Sequence, residues 1–219
     1  MISPQSSKAH IIAQSIAETL QSEISNYGSA SLVVCGGSSP VEIFSNLASL
    51  IIDWHLVTIF LVDDRLVEPQ SEYSNQLLLR THLLQKNAQN ATFIPLSTDF
   101  NLQKLLPEKF TLMLLGMGTD GHFASLFPEL ISGTVLSSKP NSEFNISAAP
   151  AIITTPALGN PSLPRISMNL SLILNSKRLI LLANGTKKQA VLAAAKEDTT
   201  LPVYYLLNQQ HLTIEIESV

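Results

Sequence analysis

An imidazole beside a carboxylate is the first feature of this sequence that suggests chemistry. His122 directly follows Asp120-Gly121 and closes the run Gly116-Met117-Gly118-Thr119-Asp120-Gly121-His122. At the mouth of a strand and the start of a helix, a histidine can take and return a proton near neutral pH. Asp120 has the plainer alternative of capping that helix, and His122 that of bonding a nearby carbonyl. Three other places suggest anion binding. Gly36-Gly37-Ser38-Ser39-Pro40 joins two glycines, which let backbone approach a ligand, to two hydroxyls and a helix start that attracts negative charge. Its plainer reading is a tight strand-to-helix turn with Ser39 as the cap. Gly185-Thr186-Lys187-Lys188 sets a lysine at a helix start after a glycine turn, and Arg165 offers a guanidinium suited to bidentate phosphate contact. Taken singly, Arg165 and Lys188 also read as solvated surface charges.

Other candidates fall away on inspection. His10, His55, His82 and His211 sit in helix faces or loops without chemical company and read as structural. Cys35 is the single cysteine, which excludes a disulfide framework and a cysteine-based metal site; it reads as a small buried strand residue. GMGTDG fits the dinucleotide pattern G-x-G-x-x-G, but Pro128 arrives too soon for a long pyrophosphate-binding helix to follow. The chain has neither a phosphate-binding G-x-x-x-x-G-K-S/T nor a G-x-S-x-G. Cofactor-dependent redox chemistry is therefore not expected.

The elements that must position these residues follow from hydrophobic patterning. Ile11, Ile12, Ile16, Leu20 and Ile24 recur at helical spacing, so residues 6–25 read as an amphipathic helix ended near Gly28. Short apolar runs at 32–35, 58–62, 91–96, 111–115 and 179–183 read as strands, several stopped by glycine or by Asp63-Asp64-Arg65. Helical patterns cover 41–51, 74–84 and 187–196. Residues 132–164, rich in Ser, Pro and Asn, read as loops with a strand near 151–155, and 165–174 as a strand leading into a helix. Alternating strands and helices imply a parallel sheet covered on both faces. In such sheets ligands bind outside the carboxyl ends of the strands. The loops at 36–40, 63–65, 116–122 and 185–188 each follow an apolar strand, so they are expected at one edge.

Composition narrows the partners. The chain has 219 residues, 45% of them hydrophobic and 14% charged, which excludes disorder and a coiled coil. Its net charge is −4, so no nucleic-acid or membrane-surface binding is expected, and any anion must be held by a local group of cations. Gln14 and Ser15 interrupt any signal-peptide core, and no run approaches the roughly 18 to 20 apolar residues of a membrane span. We expect a cytoplasmic protein of one domain over residues 1–219, as a monomer or small homo-oligomer.

In combination the motifs become specific. GGSSP at 36–40, DDR at 63–65 with Ser74-Asn75 after it, GMGTDGHFASLFP at 116–128, PRIS at 164–167 and GTKK at 185–188 resemble the 6-phosphogluconolactonases. These belong to a superfamily that includes glucosamine-6-phosphate isomerase/deaminase. The resemblance spans about residues 32–193, and the block ending in SLFP is its most specific part. It implies an α/β fold, a Rossmann-like three-layer sandwich with a mostly parallel central sheet. It also implies hydrolysis of 6-phospho-D-glucono-1,5-lactone to 6-phosphogluconate, in the oxidative pentose phosphate pathway, with no metal or nucleotide cofactor. By the same resemblance His122 is the general base; the chemistry of the residues adds Asp120 or Asp63 as the group that orients it or binds sugar hydroxyls. Arg165 and Lys188 contact the substrate phosphate, assisted by Ser38 and the amides of Gly36 and Gly37. Ser39, Asp63, Arg65 and Gly118 complete the substrate-binding set, and either backbone amides or Arg65 supply the oxyanion donors.

Departures from the family pattern are few. Asp64 stands where Glu is common, Ser39 where Thr is, Phe123 where Thr follows the histidine, and Glu129 where Gly follows the proline. Two rival readings fit parts of the sequence. An amino-sugar-phosphate isomerase/deaminase carries an acid five residues after the histidine, a position held here by Phe127. A non-catalytic sugar-phosphate sensor fits the scaffold, but leaves His122 beside Asp120 without a purpose.

Overall fold

The computed structural model describes residues 7–99, 104–132 and 142–219. Its first element, α1 (Lys8–Tyr27), starts where the Ser7 side chain accepts a hydrogen bond from the His10 amide. It ends at Gly28, whose φ of 83° suits a residue without a side chain. Then follow β1 (Ala30–Val34), α2 (Val41–Leu47), β2 (Val57–Leu61), β3 (Asp63–Arg65), α3 (Asn75–His82), β4 (Thr92–Ile94) and β5 (Phe110–Gly116). The second half contains α4 (Pro128–Ser132), β6 (Ile152–Leu158), β7 (Leu163–Met168) and α5 (Leu170–Leu174). It closes with β8 (Ser176–Leu182), α6 (Thr186–Ala194), α7 (Pro202–Leu207) and β9 (Ile214–Glu217). Among the described residues, no helix is long and apolar enough to cross a membrane.

Six strands form one sheet in the order β4-β2-β1-β5-β8-β9, and every pairing in it is parallel. Strand side chains alternate between faces, so continuous apolar runs must be covered on both sides. Leu32, Val34, Leu112 and Leu114 pack with α1, α2 and α3 on one face. Val33, Met113, Leu115 and Leu181 pack with α4, α5, α6 and α7 on the other. The three-layer sandwich inferred from the sequence is thus present, with a central sheet that is wholly parallel.

A second, three-stranded antiparallel sheet has the order β3-β7-β6. Here the structure corrects the sequence reading. Asp63-Asp64-Arg65 was expected as a loop, yet it forms a short strand, because Met168 N donates to Val62 O at 2.9 Å and carries the chain directly into pairing with β7. The stretch read mostly as loops contains β6 and the start of β7; its residues 133–141 lie outside the described set. The helix expected over 41–51 is shorter, and Pro40 stands at its N-cap without a side-chain cap, so Ser39 does not play that part. α7 and β9 have no counterpart among the elements expected from the sequence.

Candidate active site

The order of the central sheet creates the crevice. From β1 the chain crosses to β2 on one side, and from β5 it crosses to β8 on the other. Such a reversal leaves an open space at the carboxyl ends of the two middle strands. Register pairs Val34 with Leu114, so the loop starting at Cys35 and the loop starting at Gly116 lie side by side. Gly36 is required there: a Cβ on it would sit 1.9 Å from Asn75 Oδ1. Among the described residues, the amides of Gly36, Gly37, Ser38 and Ser39 donate to no protein acceptor. A turn of unengaged amides of this kind favours an anion.

The second loop holds the imidazole. Asp120 Oδ1 lies 2.5 Å from His122 Nδ1 and also accepts from the His122 amide at 3.2 Å. Gly118 makes this pair possible, since a Cβ at 118 would fall 2.2 Å from Nδ1 and 2.4 Å from Oδ1. Burial alone would raise the Asp120 pKa, but the hydrogen bond and charge of His122 outweigh it and hold the carboxyl below its ordinary value. No helix begins at His122, contrary to expectation. Gly118 N donates to His122 O, Phe123 bridges to Met117 and Leu126, and the first helical residue is Pro128. Asp120 therefore serves the imidazole and does not cap a helix.

The small sheet delivers the charged side chains. In β3 the pleat sends Asp63 and Arg65 to one face and Asp64 to the other. Across the ladder Asp63 faces Ser167, and Arg65 faces Arg165. Two like charges directly opposite are unfavourable without an anion between them. Asp64 accepts from the amides of Asn75 and Gln76 and from Ser74 Oγ, which fastens the start of α3. Asp63 is buried, and this pushes its carboxyl up; the Ser125 hydroxyl at 2.6 Å and the two arginines oppose the shift. Arg65 Nη1 donates to Tyr73 O and Asn75 Oδ1, while its Nε is buried without a partner among the described residues. Arg165 spends Nε on Leu158 O and Nη2 on Pro161 O.

Lys188 comes from the first turn of α6, where Gly185 has a φ of 83°. Its Nζ stands 3.5 Å from Ser39 Oγ, and burial lowers its pKa. Cys35 lies in the same wall. Burial, then the neighbouring Asp63, pushes its thiol up to about 12, so it remains a protonated wall residue and no nucleophile.

Most of these groups border one cleft of about 220 Å³. Its lining includes Gly36, Gly37, Ser38, Ser39, Asp63, Arg65, Gly118, His122, Arg165 and Lys188. Asp120 alone among the candidate residues is outside the lining, and it acts on the cleft through His122.

Residues 4–214 match the protein family described as glucosamine-6-phosphate isomerases/6-phosphogluconolactonase. The chain belongs to this family. The 6-phosphogluconolactonase of Helicobacter pylori is 33% identical to it over 217 residues, covering 94% of this chain and 90% of that protein. The 6-phosphogluconolactonase of Pseudomonas putida is 35% identical, with 91% and 85% covered. A crystal structure of a 6-phosphogluconolactonase from Shewanella baltica superposes with a TM-score of 0.81 at 31% identity, over 96% of this chain and 92% of that one.

Sequence reasoning missed part of this family member's site. Ser125, fully buried, holds both Asp63 and, through its amide, Ser167. Asn75 was noted only as a neighbour of the DDR motif, yet its amide side chain bonds Asp63 O and accepts from Arg65. Both are polar residues in mixed runs, and only the pairing of β3 with β7 gives them their partners.

Proposed function

We propose that this chain is a 6-phosphogluconolactonase, hydrolysing 6-phospho-D-glucono-1,5-lactone to 6-phosphogluconate. The observation that carries the reading is the meeting of four distant segments around one cleft, with an aspartate-held imidazole and three basic side chains in its walls. The curated relatives named above carry that activity in their names, which favours the lactonase branch over the isomerase branch.

A lactone carbonyl is already electrophilic, so the site must activate water, pin the substrate and steady the oxyanion. Nδ1 of His122 is committed to Asp120, which leaves Nε2 as the basic nitrogen. Nε2 takes a proton from water while the water oxygen bonds to C1. The carbonyl electrons move to oxygen, giving a tetrahedral oxyanion. Collapse breaks the bond between C1 and the ring oxygen, and the imidazolium returns its proton to that oxygen. Arg165 and Lys188 hold the phosphate with Ser38, Ser39 and the amides of Gly36 and Gly37. Arg65, whose side chain lines the cleft, is the donor available to the oxyanion or a sugar hydroxyl. Asp63 and the Gly118 backbone border the sugar.

The test uses freshly prepared lactone, followed against its spontaneous hydrolysis. The wild-type protein accelerates the reaction, and His122→Ala lowers kcat by roughly 10²- to 10⁴-fold. A variant as fast as the wild type removes the base assignment, and a wild type no faster than the blank removes the function.

A further inference from the structure

One aromatic ring touches both halves of the cleft. The Phe127 ring centroid lies 4.5 Å from that of the His122 imidazole, with the two planes 30° apart. The guanidinium carbon of Arg165 sits over the same ring, 5.1 Å from its centroid. Phe127 is 2% exposed and does not itself line the cleft. Its ring has no proton to give.

Two backbone features seat this ring. Ala124 takes a φ of 49°, rare for a residue with a Cβ, and the turn it makes brings Phe127 back against His122. Gly159, between β6 and β7, has a φ of 72°. A Cβ on Gly159 would lie 2.7 Å from Phe127 Cζ and 3.2 Å from Arg165 Nη2, so only glycine lets this turn close on the ring. Arg165 is bonded to the carbonyls of Leu158 and Pro161 on either side of that glycine. The ring is therefore one direct contact, beside the hydrogen bonds of Ser125, between the turn that follows the parallel sheet and the antiparallel sheet.

We propose that Phe127 is a positioning residue for the reaction, its ring setting the separation between the imidazole that moves the proton and the guanidinium that holds the anionic end of the substrate. The proposal rests on the function given above. A substrate of fixed length reacts only when both ends are met at once. A flat aromatic face fixes the tilt of a stacked ring and attracts a cation. An unbranched aliphatic chain fills similar space but offers no face, so both groups gain freedom.

Phe127→Met tests this with three readouts: kcat on the lactone, the calorimetric Kd for inorganic phosphate, and the proton resonances of the His122 ring, which carry the ring current of a stacked aromatic. We expect kcat to fall roughly 10- to 100-fold, as a misplaced reacting group dictates. Phosphate Kd rises about threefold to tenfold with loss of the cation–π contact. The His122 resonances move toward those of an unstacked imidazole. A folded variant with kcat and Kd as in the wild type overturns the proposal, and so does a change in only one of them, because the ring then serves a single partner. The phosphate and resonance readouts need no turnover. A wild type inactive on the lactone would thus sink the function while the placement is still judged. If Phe127→Met does not fold, Gly159→Ala displaces the same ring from the far side; a folded Gly159→Ala with unchanged kcat and His122 resonances overturns the proposal.

Discussion

In β1, Leu32, Val33 and Val34 are wholly buried between two layers of helices, whereas β3 consists of Asp63, Asp64 and Arg65. The two sheets these strands belong to divide the work of the molecule. The strands of the parallel sheet themselves place no candidate side chain in the cleft. The loops and the helix start at its carboxyl edge carry Ser38, Ser39, His122 and Lys188. The antiparallel sheet adds Ile152, Ile166 and Met168 to one side of the core and sets Asp63, Arg65 and Arg165 on one face of its pleat. Apolar burial is concentrated in the first sheet, and the buried charged side chains Asp63 and Arg165 lie in the second. The opposed arginines are a local cost of about 0.2 to 1 kcal/mol that the larger core absorbs.

Substitutions in each sheet should therefore have opposite signatures. The largest effect is expected from Leu114→Ala, in the centre of the parallel sheet. It should lower unfolding free energy by about 2 to 5 kcal/mol in denaturant titration, with kcat/KM of the surviving folded protein little changed. Arg65→Met should do the reverse. Loss of charge-assisted hydrogen bonding worth about 1.5 to 3 kcal/mol should lower kcat/KM by about 10- to 100-fold. Its unfolding free energy should shift by less than about 1 kcal/mol, because relief of the arginine–arginine repulsion offsets the bonds lost to Tyr73 O and Asn75 Oδ1. Equal damage to stability and activity in both variants would erase the division between the sheets.

Ser125→Ala sharpens the comparison, since Ser125 joins the two regions. Removing its hydroxyl leaves the buried Asp63 carboxylate without its donor and costs about 1 to 3 kcal/mol. The sign of the pH dependence follows from Asp63. Its folded pKa is already raised above 3.8 by burial, and loss of Ser125 raises it further. The ionised form is the one penalised, so the deficit should be small in acid and grow as pH rises through that folded pKa. A deficit that instead grows toward acid would contradict the role given to Ser125. The smallest effect concerns Lys188. Burial lowers its pKa below 10.5, so phosphate affinity of the free protein should decline on the alkaline side before an ordinary lysine would lose its charge. Lys188→Arg should remove that decline, and calorimetry at rising pH measures it.

How much of this was legible in the sequence follows the same division. Buried parallel strands are continuous apolar runs ended by glycine or a polar cluster, and 32–35, 58–62 and 111–115 announced themselves so. β9 escaped because its residues Ile214–Glu217 alternate Ile with Glu at a sheet edge, a short polar-apolar pattern that needs β8 beside it. α7 is a single apolar run beginning at a proline, without helical periodicity. At the site, His122, Arg165 and Lys188 were readable because their types are chemically conspicuous beside glycine turns. The Ser125–Asp63 bond spans 62 residues of sequence, and no local spacing foretells it. Asp64 shows the limit most clearly: adjacent to two site residues, it is turned by the pleat to cap α3 instead.

The most direct measurement is a crystal structure of the protein with 6-phosphogluconate bound. The phosphate is expected against Arg165 Nη1, Lys188 Nζ and the Gly36–Ser39 amides, with the C1 carboxylate facing Nε2 of His122. A product bound with its phosphate at His122, or seated away from this cleft, would contradict it.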